Sequence, residues 1–172
     1  MRVEAGDFED PEVLDLIRMH LSDMLKNSPP EHCHAMDTSG LRGDDVKFWT
    51  VKDGEQLMAM GALKQLNTSD GEIKSMRTHP RYLRRGAGRV MLSHIMFTAR
   101  GMGLKKLSLE TGSGPVFEPA IAMYRLYGFE SGPAFGSYKA TTFNQFMHMD
   151  PLGRQRHFYG GDKRWVVRCC VR

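Results

Sequence analysis

The sequence predicts a mixed α/β fold in a single domain, and three observations lead to that prediction. Three strand-like segments separated by turn signals fill residues 46–78, which indicates an antiparallel meander. An amphipathic segment over 86–101 then joins the third of these strands to a further strand-like segment at 105–111. A helix that crosses between two strands of one sheet makes those strands parallel. The length of 172 residues suits one domain with a hydrophobic core.

The N-terminal part begins with a strand and a helix. Residues 2–5 have the pattern of a short strand, and from Pro11 apolar residues recur at helical spacing as far as Leu25. Two consecutive prolines lie in the segment 27–37, which is therefore expected to be irregular. A short helix is expected near Leu41.

The meander itself consists of three strands joined by two turns. The first strand is expected at 46–51 and ends in the hairpin signal "KDGE". Its partner follows at 56–66, and after the turn "NTSDG" the alternating segment 72–78 forms the third strand.

The C-terminal half alternates helices and strands. The helix at about 86–101 presents one largely buried row, followed by the strand 105–111 and a helix at 118–127. Two more strands are expected within 130–150. The row on the first of these helices consists of Ala87, Met91, Ile95 and Ala99.

The basic charge of the chain is concentrated at one end. There are 24 basic and 20 acidic residues, but residues 153–172 contain six of the basic ones and only one acidic residue. The rest of the chain is close to neutral, so no specific nucleic-acid partner is predicted. We expect one domain over 1–152 and a basic tail after it. The tail is read-through or expression-derived sequence, a disordered extension or an added interaction arm.

Composition favours a cytoplasmic globular protein. The three cysteines form no disulfide framework, and no apolar run approaches the roughly 18 residues of a membrane helix. The acidic N-terminus lacks the apolar segment of a signal peptide. The pair of histidines around Cys33 has no further ligand cluster, so no metal is predicted.

The most distinctive segment is "LRRGAGRVML", at 83–92. A glycine turn before a helix can hold a phosphate, because the first helical N–H groups are unpaired and glycine lets the ligand approach. The dinucleotide pattern G-x-G-x-x-G fails because position 91 is Met, and no Walker Gly-Lys-Ser/Thr is present. Taken alone, the turn is equally consistent with a helix start surrounded by solvated arginines.

The wider context resembles the GNAT superfamily of N-acetyltransferases. "EIKSMRTHPRYLRRGAG" is followed by "LSLETG" and then by "AIAMYRLYGF", which match the phosphate motif and the later Tyr-x-x-x-Gly-Phe motif in order. Leu83 departs from the Gln or Arg that the family often has there. The resemblance covers about residues 3–150 and implies a sheet whose parallel fourth and fifth strands splay apart.

The resemblance implies that acetyl-CoA is the co-substrate. Its pyrophosphate would contact the turn, and its pantetheine arm would run along the fourth strand beside Met76 and Thr78. The turn residues implied are Arg84, Arg85, Gly86, Ala87, Gly88 and Arg89.

Three residues are candidates for the chemistry. The resemblance implies that Glu72 is a general base and that Tyr124 donates a proton or hydrogen bond to the CoA sulfur. Glu110 is a second carboxylate, because it lies on the opposite face of its strand from Leu107 and Leu109. Glu110 is expected to hold the acceptor amine or to act as the base, unless it is a plain surface residue.

The predicted function is transfer of acetyl to a primary amine of a small molecule. The resemblance also suggests that residues 27–42 shape the acceptor pocket, and homodimers are common in such folds. Alternatives are a protein or peptide N-acetyltransferase, a sensor that binds acetyl-CoA without turnover, and a nucleic-acid binder that uses the basic tail.

Overall fold

A computed structural model describes residues 1–29 and 36–153. The predicted mixed fold is confirmed, and the observed elements lie close to those expected from the sequence. In chain order the elements are β1 (Arg2–Ala5), α1 (Pro11–Asn27), α2 (Thr38–Leu41), β2 (Val46–Asp53), β3 (Gln56–Gln65), β4 (Asp70–Thr78), α3 (Ala87–Gly101), β5 (Lys106–Gly112), α4 (Glu118–Leu126), β6 (Glu130–Ser131) and β7 (Asn144–Met149). The basic segment from 154 onward lies outside the described residues.

The ends of α1 follow from local chemistry. The side chain of Asp10 caps the helix by accepting a hydrogen bond from the Glu12 N–H, and Pro11 occupies the first turn, where its missing N–H costs nothing. The chain turns extended at Ser28. The residue before a proline disfavours the helical conformation, so the helix ends ahead of Pro29.

The strands form one seven-stranded sheet in the order β1-β2-β3-β4-β5-β7-β6. Its first four strands are antiparallel neighbours, and the two turns predict this for β2, β3 and β4. The β2–β3 turn contains Gly54 at φ 59°, and the β3–β4 turn is held by the Asn67 side chain, which accepts from the N–H groups of Ser69 and Asp70. Two strands do lie within 130–150, although β6 has only two residues.

Helix α3 crosses from β4 to β5, and these two strands are parallel, as predicted. The predicted row of Ala87, Met91, Ile95 and Ala99 is fully buried. Strand β7 continues the sheet antiparallel to β5.

Two hydrophobic clusters cover the two faces of the sheet. On one face α1 packs its buried side chains against β2 and β3, including Met60 and Ala62. On the other face α3 and α4 pack against Ile73, Leu107 and Leu109. We call these the α1 face and the α3 face. None of the helices in the described ranges has the length and hydropathy that crossing a bilayer requires.

Candidate active site

Strands β4 and β5 separate soon after they begin to pair, and a cavity opens between them. Their parallel register covers three residue pairs, the last of which joins Glu72 to Ser108. Strand β4 nevertheless continues to Thr78 and β5 to Gly112. Beyond the last pair, each strand has one edge of backbone groups without its neighbour in the sheet. The resulting cavity has a volume of about 190 Å³ and is lined from α1, β4, β5 and α4.

A β-bulge in β4 changes which side chains reach this cavity. The register with β3 pairs Lys74 with Ala62 and Arg77 with Met60, so β4 contains one extra residue over this stretch. Ser75, inside the bulge, has φ 51°. Directly paired residues share a face, so Lys74 and Arg77 both lie on the α1 face although they are three residues apart. The simple alternation expected for this strand is therefore wrong. The bulge was not predicted because no glycine or proline in "EIKSMRT" marks it.

The glycine turn leads into α3 next to the end of β4. Gly86 precedes the helix with φ 89°, a left-handed conformation that favours glycine. Within the described residues no side chain caps this helix, so its first N–H groups are available to an anion. A Cβ atom at Gly88 would lie 3.1 Å from Thr78 Oγ1. The other residues of the turn are the exposed Arg84, Arg85 and Arg89 and the buried Ala87.

Tyr124 reaches the cavity from α4. Its ring packs edge-on against Phe129 with centroids 5.7 Å apart, and only 5% of the residue is exposed. Burial raises the pKa of the Tyr124 phenol above its ordinary value. The phenol therefore stays protonated at neutral pH and is able to donate a hydrogen bond.

Glu72 is buried in a hydrogen-bonded network, with an exposed fraction of 4%. Its Oε1 accepts from Lys74 Nζ at 3.1 Å and from the Tyr138 hydroxyl at 2.5 Å. Lys74 Nζ also donates to Tyr138 Oη at 2.7 Å. The network occupies one carboxylate oxygen of Glu72 and compensates its charge. Tyr138 belongs to the segment between β6 and β7, so this contact joins distant parts of the sequence.

Glu110 lines the same cavity from β5. Leu107 and Leu109 enter the core on the α3 face, so alternation places Glu110 on the α1 face. Burial raises the pKa of Glu110 to about 7, an effect that Lys74 reduces and Glu72 increases. A carboxyl group with a pKa near neutrality is suited to accept and release a proton at physiological pH.

Helix α1 contributes an ion pair and a neutral histidine to the cavity wall. Arg77 Nη2 donates to Asp23 Oδ2, so its partner is a helix carboxylate and not a residue of the sheet. His20 lies one turn before Asp23 and is buried. Burial, together with the nearby Arg77, lowers the pKa of His20 to about 4. This imidazole is therefore neutral at physiological pH.

The structure brings most of the predicted residues together. Glu72, Glu110, Tyr124 and Met76 line one cavity, and Thr78 continues along β4 to the turn. The sequence analysis missed several polar residues of the α1 face, namely His20, Asp23, Lys74 and Tyr138. A signal did exist for the first of them, because it continues the apolar row of α1, where a polar side chain is unusual.

The residues that the structure describes contain no group of three or more His, Cys, Asp or Glu side chains placed to hold a metal ion. The histidines around Cys33 lie outside the described ranges, so that part of the prediction is not addressed by the structure.

Comparison with known proteins agrees with this architecture. The uncharacterized N-acetyltransferase YedL of Escherichia coli (strain K12) is 42% identical over 147 residues, covering 86% of this chain and 92% of YedL. The structure of a Klebsiella pneumoniae protein described as an acyl-CoA N-acyltransferase matches with a TM-score of 0.72 at 23% identity, covering 87% and 96% of the two chains. A GNAT family acetyltransferase from Elizabethkingia anophelis, solved with acetyl-CoA bound, matches with a TM-score of 0.57 at 15% identity, covering 87% and 97%.

A family model matches most of the described chain. The model of the acetyltransferase (GNAT) family covers residues 13–129, which include most of α1, the bulged strand, the glycine turn and the Tyr-x-x-x-Gly-Phe motif. The chain therefore belongs to the GNAT acetyltransferase family and is an N-acetyltransferase.

Proposed function

We propose that this enzyme transfers acetyl from acetyl-CoA to a primary amine of a small molecule by direct attack on the thioester. The observation that carries this proposal is the cavity at the β4–β5 split, which joins two carboxylates and a buried phenol beside the glycine turn. Membership of the acetyltransferase family and the related structure with acetyl-CoA bound support acetyl-CoA as the donor. The burial of Glu72 behind Tyr138 favours a small acceptor, because a peptide needs an open groove there.

The donor site follows β4 and the start of α3. The turn 84–89 offers backbone N–H groups and exposed arginines to the pyrophosphate. Met76 lines the cavity and Thr78 lies beside Gly88, so both lie along the path from the turn to the split. The free edge of β4 supplies backbone hydrogen bonds to an extended arm with amide groups.

The chemistry requires one proton to leave the amine and one to reach the sulfur. The amine nitrogen bonds to the thioester carbon and the carbon–sulfur bond breaks, so an amide and a CoA thiol are formed. We assign Glu110 as the base that takes the amine proton, because it is half-buried and its pKa is raised to about 7. Tyr124 donates to the departing sulfur, where negative charge develops.

Glu72 receives a positioning role in this scheme. The family resemblance favours Glu72 as the base, and that assignment stays a prediction. The contacts support a different role, because its Oε1 accepts from both Lys74 and Tyr138. If Glu72 took up a proton, the buried charge of Lys74 would lose its compensation. The pair of Glu72 and Lys74 is therefore better suited to holding the wall of the cavity in place.

The test is release of CoA thiol from acetyl-CoA across amines, amino acids, polyamines, aminoglycosides and peptides. Gly88→Asp places a side chain against Thr78 and a negative charge beside the pyrophosphate. We expect this variant to raise the acetyl-CoA Kd at least about tenfold. Gly101→Asp is the matched control, because a side chain at Gly101 has open space around it at the far end of α3.

Two outcomes would contradict the proposal. Acetyl-CoA binding without thiol release for any amine would indicate a sensor. Equal acetyl-CoA affinity in Gly88→Asp and Gly101→Asp, with both folded by circular dichroism, would exclude the turn as the phosphate site.

A further inference from the structure

Three residues that line the cavity each have a buried polar atom without a hydrogen-bond partner. The atoms are His20 Nδ1, Ser75 Oγ and Arg77 Nε, and all three residues line the split. His20 is 7% exposed and Ser75 is 8% exposed. Among the described residues the only other atom of this kind is on His94, which packs against Trp49 away from the cavity. Buried polar atoms are normally paired, so three such atoms around one cavity point to a polar group that binds there.

Two of these residues, His20 and Arg77, belong to the α1 face. His20 is on α1, and Arg77 pairs across β3 with Met60, which packs in the cluster of α1. Met76 packs instead with the cluster of α3. The glycine turn also begins α3, so the donor path follows the α3 face. The unpartnered atoms of His20 and Arg77 are therefore placed toward the acceptor and not toward the CoA arm, and Ser75 lies between Lys74 and Met76 in the bulge.

The cations on this face are already compensated. Arg77 is paired with Asp23, and Lys74 is paired with Glu72. Glu110 adds a further carboxylate, whereas His20 is neutral at physiological pH. No uncompensated cation of the described wall remains for a carboxylate ligand. An ammonium group with a neutral oxygen nearby matches this set of charges better than a second anion does.

We propose that the acceptor carries a neutral oxygen group, a hydroxyl or an amide carbonyl, next to its amine, and that His20, Ser75 and Arg77 bind that oxygen. Arg77 Nε donates to it, and the Ser75 hydroxyl donates or accepts as the ligand requires. The subsite rests on the proposed function, since it specifies the acceptor of that same reaction.

The experiment uses four amines that share one skeleton. L-Alaninol and L-alaninamide carry neutral oxygens, 2-aminobutane has a methyl group in place of the hydroxyl, and L-alanine carries a carboxylate. Their Kd values are measured by calorimetry on the full chain saturated with CoA, which cannot react. We expect alaninol and alaninamide to bind about tenfold more tightly than the other two, since a site that hydrogen-bonds an oxygen discriminates against its absence.

The variant Ser75→Ala removes one of the three polar atoms. It should reduce the advantage of alaninol over 2-aminobutane to about threefold or less. Ser108→Ala is the matched control, because it removes another buried serine hydroxyl of the sheet that does not line the cavity. Circular dichroism shows whether each variant is folded, and Ser75→Gly, which accepts the positive φ, serves if Ser75→Ala is not.

The subsite is overturned if alanine binds best, if the four amines bind equally or not at all, or if Ser75→Ala, or Ser75→Gly in its place, leaves the tenfold advantage of alaninol over 2-aminobutane unchanged. These outcomes are distinct from failure of the proposed function. Release of CoA thiol with any amine would uphold acetyl transfer even when the alanine series ranks differently.

Discussion

The two faces of the sheet contribute to the cavity by different means. The α3 face offers backbone: a glycine turn, an uncapped helix start and the free edge of β4, with one buried phenol. The α1 face offers charged and polar side chains that pair with one another, in the Glu72 network and in the pair between Arg77 and Asp23. Backbone groups suit a donor that never changes, whereas side-chain networks suit an acceptor that defines one particular enzyme.

This difference between backbone groups and paired side chains predicts where substitutions are tolerated. On the α3 face a side chain can change without removing the backbone N–H groups that we propose as the phosphate site, so Leu83 is compatible with that site. On the α1 face Glu72 is paired with Lys74 and Asp23 with Arg77, so a single substitution in either pair leaves its partner unpaired. Substitutions on the two faces are therefore expected to differ in how far they change catalysis and how far they change stability.

The largest expected effect is on turnover in Glu110→Gln. The variant keeps the size of the side chain but loses the proton acceptor, so kcat should fall about a hundredfold or more near pH 7. The loss should diminish as pH rises and the acceptor amine loses its proton to water. The pH dependence of kcat, followed by thiol release, measures both effects.

Glu72→Gln is the paired variant on the same face. It leaves Lys74 buried with Tyr138 as a neutral partner, so the free energy of unfolding should decrease by roughly 3 kcal/mol, measured by denaturant unfolding. Its kcat should fall less than that of Glu110→Gln. If instead kcat falls in Glu72→Gln and recovers as pH rises, and Glu110→Gln shows no such loss, Glu72 is the base and Glu110 is not.

The sequence predicted the α3 face better than the α1 face, for a physical reason. The turn, the buried row of α3 and Tyr124 are encoded in short contiguous segments whose spacing is visible. The contact between Tyr138 and Glu72 depends on how a long segment before β7 folds back over β4, and the pairing of Arg77 with Asp23 depends on the packing of α1. The bulge at Ser75 decides which side chains share a face, and no local signal marks it.

A smaller effect is expected for Tyr124→Phe on the α3 face. The phenol acts when charge develops on the sulfur, so kcat should fall about tenfold while the Kd of acetyl-CoA stays within about twofold. The ranking of acceptors should not change, because Tyr124 does not belong to the α1 face. Full activity in this variant would limit Tyr124 to packing against Phe129. A changed ranking of acceptors would show that the α3 face also contributes to acceptor binding.

The smallest expected effect concerns stability and pH. Burial raises the pKa of Glu110 from 4.5 to about 7, so the folded protein holds a proton that the unfolded chain releases within this window. By linkage, wild-type stability decreases relative to Glu110→Gln as pH rises from 4.5 to 7. The variant should therefore gain about 2 °C or more in Tm relative to wild type between pH 5 and pH 8. Glu130→Gln, at an exposed position of β6, is the control and should show a smaller change. An equal change in both variants would mean that Glu110 is fully hydrated. The physical reason to prefer Glu110 over Glu72 as the base would then be lost, whatever the kinetics of Tyr124→Phe.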